Sequence, residues 1–210
     1  MKLIFVPSKF VFISDGYTGK TNLLERLVEN RYPNTNLPTV TEHYYLKYEF
    51  NNQYFIIQIL EISGNHVTRK FYRYYKNADI IIIVFDLSKL PENDFIDILI
   101  TEIKEVISNY KEKIIYLVGN KLDITEEYLN IHRKRAKIAI DSGIIHKYFE
   151  VSAKTGKGIN FFSNVLIRDC ININNNVNNK KIHDESAKLK KSKNLNDNKK
   201  FEELNKYINY

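Results

Sequence analysis

Ser14-Asp15-Gly16-Tyr17-Thr18-Gly19-Lys20-Thr21 stands between an apolar run, Phe10-Val11-Phe12-Ile13, and residues at helical spacing, Leu23, Leu24, Leu27 and Val28. Strand, tight loop, helix is the setting in which the pattern G-x-x-x-x-G-K-[ST] cradles phosphate. All of that pattern is present here except its first glycine, whose place Ser14 takes. In such a loop successive backbone N–H groups turn inward and, with the positive end of the helix that follows, make an anion cradle. Lys20 would reach the β- and γ-phosphates, and the Thr21 hydroxyl would be a ligand of Mg²⁺. The other reading is a plain strand–turn–helix with a solvated lysine. Ser14 and the bulky Tyr17 are departures at positions where glycine lets the backbone approach phosphate closely.

Working outward, the chain alternates strand and helix. Asn30 to Thr39, with Pro33 and Pro38, reads as an irregular loop. His43 to Phe50 and Gln53 to Ile59 read as an antiparallel hairpin turned at Asn51-Asn52. Residues 66 to 78 read as one helix. Ile80-Ile81-Ile82-Ile83-Val84-Phe85-Asp86 is continuous apolar sequence ending in an acid, as in a strand buried on both faces. Phe95 to Tyr110 follows helical spacing, Ile114 to Val118 is a second buried strand, and Glu126 to Ser142 is a helix. Tyr148 to Val151 is a short strand and Ile159 to Cys170 a last helix. The fold class is therefore α/β: a doubly wound, mostly parallel six-stranded sheet with one antiparallel edge strand. In such sheets ligands bind beyond the carboxyl ends of the strands, which is where the opening loop falls.

The bulk numbers agree. A chain of 210 residues suits one α/β domain with an extension. One cysteine, Cys170, rules out an internal disulfide framework and fits a reducing compartment. No apolar run reaches the ~18 residues that span a bilayer, and no signal-peptide pattern opens the chain, so a cytoplasmic location is expected. The net charge is +7, of which nine lysines against five acidic residues from Lys180 onward supply +4. Six of the eight residues from Asn172 to Asn179 are asparagine. That composition cannot bury enough apolar surface to offset chain ordering, so residues 172–210 are expected to be a disordered Asn/Lys-rich tail. Such a tail either touches an anionic surface weakly or keeps the segment in solution. Phe201, Leu204, Tyr207 and Ile208 are spaced for one helix face or are apolar scatter.

Two more strand-end stretches carry chemistry. Asn120-Lys121-Leu122-Asp123 is an N-K-x-D tetrad. A carboxylate at Asp123 accepts from guanine N1–H and the exocyclic amine together, a donor pair that adenine lacks. Lys121 can lay its alkyl stem over the base. Ser152-Ala153-Lys154 closes the next strand, with a backbone N–H near Ala153 suited to the guanine carbonyl oxygen.

In this order the three stretches resemble the small GTPases of the Ras superfamily over about residues 7 to 171. The resemblance implies a GTPase domain over residues 1–171, with GTP/GDP and Mg²⁺ as cofactors. It implies nucleotide contacts from Asp15, Gly16, Tyr17, Thr18, Gly19, Lys20, Thr21, Gly64, Asn120, Lys121, Asp123, Ser152, Ala153 and Lys154. Tyr32, twelve residues after Lys20, matches an aromatic that packs on guanine. Thr39, nineteen after Lys20, matches the switch I threonine that joins Mg²⁺ with Thr21. Glu61, forty-one after Lys20, stands for the aspartate that holds the ion through water. Gly64 would meet a γ-phosphate, and Lys20, Thr39 and Asn65 make the catalytic set. Gln58-Ile59 and Tyr74 to Asp79 look like the Rab branch; Asp15-Gly16 and Pro38-Thr39-Val40 look more like Rho. The short spacing from Asn120 to Ser152 favours Rab.

The pattern also breaks. Leu60-Glu61-Ile62-Ser63-Gly64-Asn65 replaces W-D-T-A-G-Q, so Asn65 stands for the glutamine that orients attacking water. Its amide is shorter by about 1.5 Å, and a misplacement of about 1 Å can cost ~100-fold in rate, so slow GTP hydrolysis is expected. His66 is read as exposed and idle. Tyr17 shields phosphate, obstructs an activating protein's arginine, or points to solvent. The chain ends Lys206-Tyr207-Ile208-Asn209-Tyr210 without prenyl-accepting cysteines, and Lys2 excludes N-myristoylation, so no lipid anchor is expected. The implied function is a Rab-like GTP/GDP switch of vesicle traffic. Its partners would be effector, exchange-factor and activating proteins at switches I and II, with weak membrane-surface contact through the tail and no specific nucleic acid. The alternative is an interaction scaffold with little or no hydrolysis or nucleotide exchange.

Overall fold

The computed structural model describes residues 2–33, 41–50, 53–65, 74–90, 101, 104–105, 113–124 and 127–191. The expected helices over 66–78 and over Phe95 to Tyr110 fall largely outside these residues, and Thr39 and His66 fall wholly outside. Described elements are β1 (Lys2–Ser14), α1 (Lys20–Glu29), β2 (Glu42–Phe50), β3 (Gln53–Glu61), β4 (Ile80–Asp86), β5 (Ile114–Asn120), α2 (Leu129–Asp141), β6 (Lys147–Glu150) and α3 (Ile159–Lys191).

The strands form one six-stranded sheet in the order β2-β3-β1-β4-β5-β6. Only the β2–β3 hairpin pairs antiparallel, and the other neighbours run parallel. β1 begins at Lys2, well before the apolar run that announces it. Its register on β3 shifts between Val6 and Lys9, where Pro7, which has no N–H to give a ladder, is accommodated. All seven residues of β4 are buried, so its unbroken apolar run reflects cover on both faces. Alternate residues of β1 serve the two faces. Val11 and Ile13 join a core with Ile81, Ile83, Leu117 and, from α2, Leu129 and Ala136. Phe12 meets Phe162 of α3 edge-on at 6.5 Å, and Phe162 also packs on Phe149 of β6 at 5.0 Å. Each buried side chain of this size contributes about 1.5–3 kcal/mol.

The chain leaves β1 in both directions, to β3 and β2 on one side and β4, β5 and β6 on the other. The carboxyl end of β1 is therefore the crevice-forming point of a doubly wound sheet. The last helix differs from expectation: it continues past Cys170 to Lys191. Among its described side chains, which run to Asn175, the buried ones are Ile159, Phe162, Val165, Leu166, Ile167 and Cys170. That residue also closes the first of two compact units, Met1–Cys170 and Ile171–Tyr210. In the second unit the described backbone is helical through the asparagines to Lys191, where the composition predicts disorder from Asn172; residues 192–210 lie outside the described residues.

Candidate functional site

A cavity of about 870 Å³ opens at the carboxyl edge of the sheet, a size proper to a nucleotide-scale ligand. Its wall includes Asp15, Gly16, Tyr17, Thr18, Gly19, Lys20, Thr21, Tyr32, Gly64, Asn65, Asn120, Lys121, Asp123, Ala153 and Lys154. The sequence-predicted residues are thus brought together, except three. Ser152 and Glu61 lie beneath the wall, both fully buried, and Thr39 lies outside the described residues.

The phosphate loop takes its shape from two left-handed residues. Gly19 has φ +78°, and a Cβ there would come within 2.8 Å of Asn120 Nδ2, so both conformation and space require glycine. Tyr17 has φ +62°, which a bulky residue rarely adopts. Its side chain is 80% exposed. Ser14, by contrast, ends β1 in strand geometry and is buried, with its hydroxyl on the Asp15 carbonyl at 2.7 Å. The missing first glycine therefore costs the loop no strain, and Tyr17 is the departure that does. Helix α1 starts at Lys20 with no side-chain cap and no acid in its first turn, which leaves its positive end turned to the cavity. Gly64 lies against the loop: a Cβ there would sit 3.0 Å from the Asp15 carbonyl carbon and the Gly16 nitrogen.

Below the loop, Glu61 ends β3 with its carboxylate wholly buried. Its Oε1 accepts from Lys20 Nζ at 2.7 Å and from the Thr21 hydroxyl at 2.6 Å. Its Oε2 accepts from the Tyr44 hydroxyl at 3.2 Å, a proton that Tyr44 shares with Glu42 at 3.1 Å. Burial and the two carboxylates hold the Tyr44 phenol far above its ordinary pKa, so it stays a donor. Thr21 and Glu61 also fit a magnesium ion. A hydroxyl that gives its hydrogen to the carboxylate keeps its lone pairs for a metal, and Mg²⁺ takes few protein oxygens alongside phosphate and water.

At the other end, side chains tie the base-facing turns to the phosphate loop. Asn120 Nδ2 donates to the Thr18 carbonyl at 3.0 Å and the Gly19 carbonyl at 3.2 Å, while its Oδ1 accepts from the Ala153 N–H at 3.0 Å. Asn120 is therefore a strut. The Ala153 amide, expected to face a purine carbonyl, donates to Asn120 in this structure, and Lys154 lines the cavity beside it. Ser152 Oγ donates to Asp123 Oδ1 at 2.5 Å and fixes the carboxylate that lines the cavity. Lys121, itself left-handed at φ +68°, donates to the Tyr17 carbonyl at 2.8 Å and to Asp86 Oδ2 at 2.7 Å. Burial pushes the Asp86 pKa up, but the bonds from Lys121 and Ser88 outweigh it and hold the group below the usual carboxylate range.

Asp86 and Arg26 escape the sequence reading. Arg26, on α1, donates to the Ala153 carbonyl at 2.9 Å and the Lys154 carbonyl at 3.1 Å. It clamps the phosphate-loop helix to the far turn. A strand-terminal acid after an apolar run was the available signal for Asp86. Arg26 had none, since its partners are backbone atoms 127 and 128 residues away.

Comparison with known proteins agrees with this geometry. A model of the Ras family matches residues 9–172. Rab-13 of Mesocricetus auratus is 28% identical over 165 residues, 78% of this chain and 79% of that protein. Rab-8 of Diplobatis ommata is 30% identical over 185 residues, 87% of this chain and 86% of its own length. The GTP-binding protein Rhes of Mus musculus is 27% identical over 173 residues, 77% of this chain but 65% of Rhes. With a family match over most of its length and similarity to Rab proteins at this level, the chain belongs to the Ras family as a divergent, Rab-like small GTPase.

Proposed function

We propose that the protein is a guanine-nucleotide switch that binds GTP and GDP with Mg²⁺, hydrolyses GTP slowly, and serves vesicle traffic. One observation carries the reading: a single cavity is walled at one end by Gly16 to Thr21 and at the other by Asp123 and Lys154. In it, Asp123 accepts from guanine N1–H and the exocyclic amine, and the Lys154 amide donates to the base carbonyl. Lys121 and Tyr32 flank the ring. Lys20 and the loop amides hold the phosphates. Thr21 and Glu61 would hold Mg²⁺, with Thr39 joining them, and the ion would neutralise charge on the phosphate oxygens. Gly64 would report the γ-phosphate, ordering switch II for effectors, exchange factors and activating proteins.

Slow hydrolysis follows from Asn65, whose amide is one methylene shorter than the glutamine it replaces, against a family rate of only ~10⁻⁴ to 10⁻³ per second. Among the described residues no helix is long and apolar enough to cross a membrane. We assign weak membrane-surface contact to the lysine-rich tail and to protein partners, and place the switch in the cytoplasm. Chromatography of the nucleotide released from denatured purified protein tests the reading. Guanine nucleotide at near-stoichiometric amount, converted in single turnover at or below the family rate, is expected. Adenine nucleotide would refute it.

A further inference from the structure

We infer that Glu61 competes with phosphate for Lys20 from beneath the loop: it neutralises Lys20 and engages Thr21, so the nucleotide-free protein is stable and exchange depends little on Mg²⁺. The inference rests on the proposed guanine-nucleotide reading. The glutamate carboxylate receives three donors, Lys20 Nζ, the Thr21 hydroxyl and the Tyr44 hydroxyl, while wholly buried. Three donors satisfy this buried carboxylate, and it pairs with a lysine only 5% exposed.

Side-chain length makes the pair. An aspartate on the same backbone would withdraw its oxygens by about 1.5 Å, enough to take a 2.7 Å contact with Lys20 out of hydrogen-bond range. Tyr44 fixes the glutamate from the other side, out of β2, with a proton it also shares with Glu42. An incoming phosphate therefore competes with Glu61 for Lys20, and a magnesium ion competes with Lys20 for Glu61. When Lys20 turns to phosphate, a buried carboxylate loses its hydrogen-bonded ammonium and stands nearer an anion. Glutamate thereby favours the empty state over the loaded one.

The test uses nucleotide-stripped full-length protein, melted alone, and release of a fluorescent GDP analogue with and without Mg²⁺ chelation. Wild type is expected to melt cooperatively when stripped, and chelation to speed its release by less than about 3-fold. Glu61→Asp should slow release in Mg²⁺ by about 10-fold and make it respond to chelation by about 10-fold or more. Glu61→Gln should lower the stripped melting temperature by about 5 °C or more, because a buried ammonium loses its carboxylate. Adding Lys20→Met to Glu61→Gln should recover most of that loss. Additive losses in the double variant, or Glu61→Asp behaving as wild type, would overturn the inference. Failure of every form to bind guanine nucleotide would instead overturn the functional reading, and the double-variant cycle would still decide whether Lys20 and Glu61 are paired.

Discussion

The two ends of the cavity hang from one sheet edge but are held by different means. At the base end, Asn120, Arg26 and Ser152 bond backbone carbonyls, an amide or a neighbouring carboxylate, and each fixes a turn in place. At the phosphate end, Lys20 and Glu61 bond each other. The first arrangement leaves its ligand-facing groups oriented and available, Asp123 above all. The second holds its main cation in an internal pair. Departures from the family pattern, Ser14, Tyr17, Glu61 and Asn65, all fall on this second side. On the proposed function, recognition and cleavage are separable in one small domain, because recognition needs fixed donors and acceptors while cleavage needs charge left free to follow the reaction.

The sharpest break in this contrast is Asp123→Ala. Removing an acceptor of two charge-assisted bonds should lower affinity for GDP by about 100-fold or more, measured by competition, while leaving affinity for inorganic diphosphate alone. On the phosphate side, Asn65→Gln restores reach toward an attacking water. It should raise single-turnover hydrolysis by about 10- to 100-fold without changing nucleotide affinity; an unchanged rate would move the deficit to Glu61 or Tyr17. Arg26→Ala probes the clamp between the ends. It should speed GDP release by about 10-fold with guanine preference kept, since the turn loosens while Asp123 stays.

The smallest effect concerns pH. His132 of α2 supports the base end, with its ring 5.0 Å from Phe85 and Nε2 3.0 Å from the Lys89 carbonyl oxygen. Burial pulls its pKa below the ordinary value, against smaller opposing effects. The neutral form is therefore the folded one, and the unfolded chain takes up the proton more readily. The stability this contributes is fully present above the unfolded-chain pKa of about 6.5 and is lost as pH falls from there through the lower folded-state value. Melting between pH 7.5 and 5.5 should show a larger drop for wild type than for His132→Gln.

How much of this could be read from sequence follows the range of the interactions. The buried strands announce themselves as apolar runs, and Ile80–Asp86 is recovered residue for residue. The cavity's wall is legible because its members sit in three short strand-end motifs. What holds that wall is not: Arg26 meets its partners across more than a hundred residues, and nothing about an arginine on a helix names a carbonyl. Glu61 is visible as a substitution, but its pairing with Lys20 depends on how far one methylene carries a carboxylate in a closed space. Tyr44 adds a third partner from an edge strand whose polar and aromatic residues alternate without distinction. The helix beyond Cys170 is illegible for the opposite reason, since its asparagines form no apolar face to give it away.

The central claim is that the base end recognises guanine while the phosphate end is altered. The most direct measurement is displacement of a bound fluorescent GDP analogue by unlabelled nucleotides at matched Mg²⁺. GDP and GTP should displace it stoichiometrically, and ADP and ATP should fail even at about 1,000-fold excess, because adenine offers Asp123 no donor pair. Equal displacement by adenine nucleotides, or absence of guanine-nucleotide binding, would contradict the account.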